Sequence, residues 1–258
     1  MGEKSRVLIT VMTYPTPSTK MRETVCTAGI TEDGSWVRLY PIDYRYLPPE
    51  RRFHKFQWVE VELAQRGASN DNRRESRRPD LNSLTPGERL EGWSAKRAYV
   101  DKCKVHTLNE LKALYDEDTT SLGVVKPTKI IDLKIEPQSA EWDTTQQASL
   151  AQLGFFETPT KPLKKMPFKF TYVFECSDSK KPHNAMCEDW ELGVLYLKEE
   201  RRLGDPKKAA ESVKKKFLGE LCAPERDTHF FMGTVFPYNT WVVVGVFWPP
   251  KRLQRELL

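Results

Sequence analysis

The sequence predicts an α+β protein: a small N-terminal antiparallel β-barrel-like unit joined to a C-terminal mixed α/β region that contributes a buried hairpin. Three observations support this class. Short β-branched segments fill the first quarter of the chain, helix-capping signals appear after residue 105, and segment 240–248 is apolar on both strand faces. We expect a β-unit over 1–65, an Arg-rich polar loop and connector over 66–105, and an α+β region over 106–258. Whether the first and last regions share one sheet system is left open.

In the N-terminal unit, tight turns separate four β-rich segments. Pro15 and Pro17 end the first segment, and Asp33-Gly34 favours the positive φ of a hairpin turn. Several short strands with tight turns are typical of a small antiparallel barrel or a curled sheet. The predicted strands are 7–14, 24–30, 36–40 and 57–63.

The remaining elements follow from caps and periodicity. Thr107 and Glu110 form a capping-box pattern, Asp205-Pro206 starts a helix, and Gly204 ends the preceding one. Four aromatic side chains of segment 168–176 share one strand face. The predicted elements are a helix over 107–115, a strand over 129–135, a linker over 136–167, a strand over 168–176, a helix over 188–203, a helix from 205, and a hairpin over 229–235 and 240–248 around Pro237-Tyr238-Asn239.

Composition narrows the class of partner. The chain has 41 basic and 36 acidic residues, a net charge of +5, which is only mildly basic, so a nucleic-acid site requires local clustering. No apolar run reaches the roughly 18 residues that a membrane span needs. Five scattered cysteines and no visible secretory signal indicate free thiols in a reducing compartment. We therefore expect a cytoplasmic protein without a membrane partner.

Segments 23–42 and 227–249 resemble a bacterial protein family of unknown function, so the resemblance implies no activity. The N-terminal unit is also similar to PUA-like and OB-like barrels. That resemblance implies a fold that often binds RNA or modified bases, at the level of fold alone.

A binding platform is the first candidate site. Trp36, Arg38 and Tyr40 alternate along one strand and share a face, which would supply flat rings for bases and cations for phosphates. The sequence thus favours a nucleic-acid-binding protein, with single-stranded or modified nucleic acid as a candidate ligand. The other predicted contacts are Arg45, Arg51, Arg52, Lys55, Arg73, Arg74, Arg77 and Arg78.

Two alternatives remain open for this segment. Trp36 and Tyr40 could face a second core layer, with Arg38 in an ordinary ion pair. The chain could also be a protein-interaction module, which an exposed apolar patch without a charged cleft would indicate.

A nuclease is the enzymatic alternative, and the sequence leaves open whether the protein is an enzyme. Asp132 and Lys134 form a D-x-K pattern on a predicted strand, as in Mg²⁺-dependent nucleases of the restriction type, and Asp80 follows a proline upstream. Short D-x-K strings arise often by chance, and we expect Asp132 and Lys134 to be ordinary edge-strand charges.

Cys176, His183 and Cys187 are candidate zinc ligands: Cys176 ends a predicted strand, His183 lies in the predicted polar loop over 177–183, and Cys187 precedes a predicted helix. Zinc sites take four ligands, and only three are present, without a paired CxxC. We expect no bound cofactor and no metal at these residues.

Overall fold

The structure is a computed structural model that describes residues 2–19, 22–65, 71–151, 162–235 and 239–252. Parts of the predicted Arg-rich loop (66–70) and linker (152–161), and two residues of the predicted hairpin turn (237–238), lie outside these ranges. Within them the strands are β1 (Glu3–Met12), β2 (Thr16–Ser18), β3 (Arg22–Thr24), β4 (Thr27–Ile30), β5 (Trp36–Leu39), β6 (Gln57–Leu63), β7 (Ser76–Arg77), β8 (Thr85–Arg89), β9 (Val105–His106), β10 (Leu122–Val125), β11 (Lys129–Pro137), β12 (Phe168–Cys176), β13 (Ser179–Met186), β14 (His229–Val235) and β15 (Thr240–Phe247).

The helices of the same ranges lie mainly in the second half of the chain. The predicted Thr107–Glu110 capping box is present. Asp189 and Asp205 cap the helices that begin at Trp190 and Pro206, and Gly204 ends the first of these two with a positive φ. None of the described helices has the length and apolar content needed to cross a membrane. They are α1 (Gly92–Val100), α2 (Leu108–Asp118), α3 (Thr144–Leu150), α4 (Trp190–Leu203) and α5 (Pro206–Lys214), with 3₁₀ turns at Tyr44–Tyr46 and Pro49–Arg51 and a π-helical turn at Lys215–Glu220.

The N-terminal strands form a six-stranded sheet in the order β7-β5-β4-β1-β6-β8, antiparallel except for the β5–β7 pair. The α+β class is confirmed. The sheet is not a closed barrel, because its two edge strands, β7 and β8, do not pair with each other in the described part of the chain. On one face of the sheet Leu8, Ala28 and Trp58 pack on a second sheet, and on the other face Val7 and Val59 belong to a separate core of the N-terminal unit.

That second sheet has the order β15-β14-β10-β9 and lies in the middle of the molecule. Val242 and Val244 contact the six-stranded sheet, whereas Trp241 and Val243 face a second core beneath the β11-β12-β13 sheet and α4 and α5. The predicted hairpin is therefore buried on both faces. Its strand β15 is an edge strand, however, rather than an interior one, and the segment before α4 covers that edge through Glu188 N–H donating to the Val243 carbonyl at 2.8 Å.

Three segments that were predicted to be irregular contain helices or strands. The predicted loop around Pro182 is strand β13, the predicted linker over 136–167 contains α3, and the polar connector over 66–105 contains β7, β8 and α1. Strand β13 forms because it pairs with β12, placing His183 opposite Phe174. Long-range pairing overrides the weak local propensity of this polar segment.

Candidate functional site

The predicted platform on β5 lies inside the protein. The Trp36 ring meets Phe231 edge-on, with centroids 5.6 Å apart. Arg38 is completely buried and donates to Cys26 Sγ at 2.8 Å and to the carbonyl and hydroxyl of Ser121 at 3.0 and 3.1 Å. This face therefore contacts the second sheet, as in the core-facing alternative: Arg38 is closed off from solvent, and Trp36 is half-buried.

Arg73, from the predicted Arg-rich loop, is also buried. It donates to both carboxylate oxygens of Asp71, at distances from 2.7 Å, and to the Thr234 carbonyl at 2.8 Å. Its guanidinium lies 5.9 Å from the centre of the half-buried Tyr40 ring. Arg73 and Arg38 thus reach backbone groups of the C-terminal region, so both serve to join the two parts of the molecule.

The neighbouring arginines are more exposed. Arg74 pairs with Asp118, half-buried Arg77 donates to the carbonyls of Arg74 and Ser76, and Arg78 is exposed. These three guanidiniums lie on or near the surface and can be reached by a phosphate.

The loop between β5 and β6 holds the remaining predicted cations. Arg45 pairs with the buried Glu23 at 3.0 Å. Arg51 donates to the Leu81 carbonyl, and Arg52 to the Leu47 carbonyl at 2.9 Å. These bonds hold the loop in place and leave Lys55, at its end, directed toward α4.

At the end of this loop lies a cavity of about 670 Å³, which we call the central cavity. It lies between the six-stranded sheet and α4, with α1 and the end of β15 completing its walls. Its volume is within the roughly 300–1,000 Å³ range of ligand sites, which favour interfaces between structural units. Six aromatic side chains line it: Tyr44, Phe53, Phe56, Trp93, Trp190 and Trp248.

One buried ion pair, between Lys55 and Asp189, lies at this cavity. Lys55 Nζ contacts Asp189 Oδ1 at 2.6 Å, and the two side chains are 9% and 1% exposed. Asp189 also accepts the backbone N–H groups of Glu191 at 2.8 Å and Val246 at 3.2 Å, so it caps α4 and ties β15 to it. Burial alone would lower the pKa of Lys55, but the carboxylates of Asp189 and Glu191 outweigh it and raise that pKa, keeping the ammonium charged.

Positive charge predominates in the lining. Four of the lining side chains are lysine or arginine and one is a carboxylate, that of Glu191. Lys96 Nζ lies 4.9 Å from the Phe56 ring centre and 5.3 Å from that of Trp93, in cation–π contact. The Arg89 and Lys198 side chains are exposed. An aromatic cavity with excess cations suits a flat ligand that carries negative charge.

Thr10 adds a polar group to the lining. It is 1% exposed, and its hydroxyl has no hydrogen-bond partner in the part of the chain that the structure describes. Buried hydroxyl groups are nearly always hydrogen-bonded. The Thr10 oxygen also has almost no accessible surface, so it is a buried polar group beside the cavity and not a contact for a ligand in this structure.

A smaller cavity of about 530 Å³ adjoins the first. The Trp190 ring separates them, 6.4 Å from the Tyr14 ring centre on one side and 5.4 Å from that of Tyr44 on the other. Burial raises the pKa of Tyr14 to about 12, and its hydroxyl donates to the Lys164 carbonyl at 2.7 Å. Tyr14 is therefore neutral and acts as a fixed wall.

The predicted nuclease residues are not assembled into a metal site. Asp132 pairs with Lys214 at 2.8 Å, and this hydrogen bond lowers the pKa of the Asp132 carboxyl group. Lys134 donates to Asn184 at 3.2 Å. Asp80 lies beside the six-stranded sheet, where its backbone N–H donates to the Glu62 carbonyl at 2.8 Å. Among the described residues, neither aspartate belongs to a group of three potential metal ligands.

Two of the three candidate zinc ligands lie close together in the structure, and a third residue, Asp178, joins them. Cys176, Asp178 and His183 bring their ligand atoms within 4.8 Å of one another, and Cys187 is not part of this group. Cys187 is instead buried in the core beneath the β11-β12-β13 sheet, where its backbone N–H donates to the Phe170 carbonyl. Asp178 was missed because its segment was interpreted as a loop, whereas the hairpin turn brings it beside Cys176.

Sequence reasoning also missed most of the central cavity. The run from Arg51 to Lys55 combines cations with Phe53 and His54, and this signal pointed to the loop that borders the cavity. Trp93 and Lys96 lie three residues apart on α1, a helix that was not predicted. With the helix known, that i, i+3 spacing places both side chains on one face.

The fold and the cavity define an α+β protein with an aromatic, cationic site between its two parts. Residues 104–258 match the family described as "Domain of unknown function (DUF8757)", which covers more than half of the chain, so the protein belongs to that family. Residues 3–102 match a second family model, "Domain of unknown function (DUF8758)". The search of curated proteins found no match.

Proposed function

We propose that the protein binds nucleic acid, with an unpaired base in the central cavity and the adjacent phosphates at its mouth. One observation carries the proposal: six aromatic rings line the same cavity as Arg89, Lys96 and Lys198, in addition to Lys55, whose charge Asp189 balances.

The aromatic rings account for the base. A base stacked on an aromatic side chain contributes about 1–3 kcal/mol, whatever its sequence. A base inside a duplex is stacked on both sides, so entry into a walled cavity requires a single strand or an unpaired position. The proposal therefore specifies single-stranded or locally unpaired nucleic acid.

The cations account for the phosphates. Lys198 and Arg89 are exposed at the cavity, and Lys96 lies over two of its rings. Phosphate contacts by lysine and arginine release condensed counterions, so affinity should fall with increasing salt. The predicted Arg38 and Arg73 contacts are not part of this proposal, because both guanidiniums are buried.

A filter-binding series with single- and double-stranded DNA and RNA, repeated at several salt concentrations, tests the function. We expect binding to the single strands, weaker binding to the matched duplexes, and a steep loss of affinity as salt increases. Absence of binding to all four at low salt would refute the proposal, and tighter binding to duplexes would refute the cavity as the site.

A pair of double variants tests the location. In Lys96→Ala/Lys198→Ala we expect at least a tenfold loss of affinity at low salt and a salt slope smaller by about two, since each phosphate-contacting lysine contributes about one. Lys207→Ala/Lys215→Ala removes the same charge from exposed positions that do not line the cavity and is the matched control. Equal losses in the two variants would indicate general attraction to a basic surface.

For the cellular location we infer the cytoplasm. The inference is supported by the five cysteines, all of which are free thiols. Reducing compartments favour that state.

A further inference from the structure

The turn between β12 and β13 brings three potential metal ligands together. Cys176 is the last residue of β12, Asp178 lies in the turn and His183 is in β13. The hairpin register pairs Phe174 with His183 and Cys176 with Ser179. As a result, one sulfur, one carboxylate oxygen and one imidazole nitrogen lie within 4.8 Å of one another.

The His183 ring has an unused ligand atom. Its Nε2 is closed off from solvent and has no hydrogen-bond partner among the described residues. Buried polar atoms are seldom left in this state, and a bound ion is one of the recognised reasons when they are.

The surroundings favour a cation. The carboxylates of Asp178 and Glu110 place negative charge near the Cys176 sulfur, which also accepts a hydrogen bond from the Leu108 backbone N–H at the start of α2. A bound metal would take the sulfur as a thiolate and release its proton to solvent. Lys112, near His183, contributes a positive charge that opposes the binding of a cation.

From this geometry we propose that Cys176, Asp178 and His183 bind one zinc ion, contrary to the sequence-based expectation of no metal. Thiolate and imidazole ligands suit zinc, whereas Mg²⁺ and Ca²⁺ prefer oxygen ligands alone. Three protein ligands leave the fourth tetrahedral position to water. The Thr107 hydroxyl donates to Asp178 at 2.6 Å, so the site would connect the hairpin turn to the first turn of α2 and orient the carboxylate.

This proposal does not depend on nucleic-acid binding and is tested by metal titration of the full-length protein after removal of metal with a chelator. Cobalt is the probe, because a thiolate ligand produces a charge-transfer band and a tetrahedral site produces intense visible bands; zinc should then displace it. We expect one equivalent of cobalt, both spectral features, and displacement by one equivalent of zinc. A wild-type protein without the thiolate band overturns the proposal.

Three site variants and one control complete the test. Cys176→Ser should lose the thiolate band, while Asp178→Asn and His183→Gln should weaken cobalt binding at least tenfold. The latter two positions are exposed and half-buried, so they keep the test valid if the buried Cys176→Ser variant does not fold. Cys222→Ser removes a thiol outside the group and should bind like the wild type. Wild-type affinity in His183→Gln or Asp178→Asn, or loss of binding in Cys222→Ser, would overturn the assignment.

Discussion

Two sets of cations in this protein have opposite surroundings. Arg38 and Arg73 are enclosed between the sheets and donate to Ser121 and Thr234 of the C-terminal region. Lys96 and Lys198, by contrast, lie at the central cavity. Arg38 and Arg73 are hydrogen-bonded to groups inside the protein, whereas Lys96 and Lys198 can contact a ligand in the cavity. Clusters of basic residues in a sequence therefore indicate nucleic-acid contacts only when the fold leaves them accessible.

The largest difference between the two sets should appear in stability. Arg73→Ala leaves the Asp71 carboxylate, whose side chain is 6% exposed, without its bidentate partner. Breaking a buried ion pair from one side costs about 3–5 kcal/mol, so we expect a loss of that size in the free energy of unfolding, measured by urea denaturation.

The adjacent arginine is the control. Arg74 is 54% exposed and pairs with Asp118 at the surface, so Arg74→Ala should cost about 0–1 kcal/mol. Equal effects of the two substitutions would contradict an internal, structural role for Arg73.

A second contact between the two parts should have a smaller effect. Asp227 pairs with Arg97 of α1 at 2.9 Å and with Lys126 at 2.7 Å. Burial would raise the pKa of Asp227, but these hydrogen bonds outweigh it and lower the pKa to about 2 from 3.8. A shift of this size corresponds to about 2 kcal/mol, so Asp227→Asn should be less stable than the wild type by about that amount at neutral pH.

The pH dependence has a defined sign. Because the folded-state pKa of Asp227 is depressed, its contribution is complete above the unfolded-state value of 3.8 and disappears as the pH falls through about 2. The stability difference between wild type and Asp227→Asn should therefore shrink between about pH 4 and pH 2 in denaturation curves. A difference that stays constant over this range would show that the carboxylate charge is not its cause.

Elements whose sequence signals lie within a few neighbouring residues were predicted. The capping box at Thr107 predicted a helix and the aromatic alternation of segment 168–176 predicted a strand, and both elements are present. Helix α1 has no such signal: it begins at Gly92, with positive φ, after Glu91, whose side chain makes no capping bond. Strand β13 exists through its pairing with β12, which a single sequence does not reveal.

The site was predictable only in part, for a geometric reason. Alternation along β5 shows that Trp36 and Arg38 share a face, but it does not show whether that face meets solvent or another sheet. The apolar hairpin indicated a buried layer, although not that it would cover β5. The cavity residues Phe56, Trp93 and Trp248 come from three distant segments, so only the fold brings them together.

Photo-crosslinking tests directly whether an unpaired base binds in the central cavity. A single-stranded oligonucleotide carrying thio-substituted pyrimidines is bound to the wild-type protein at low salt, irradiated, and the crosslinked peptides are identified by mass spectrometry. We expect crosslinks at Phe56, Trp93 and Trp248, which line the central cavity, and none at Trp36, which packs on Phe231. Crosslinks confined to the Trp36 strand, or to peptides that do not line the cavity, would contradict this expectation.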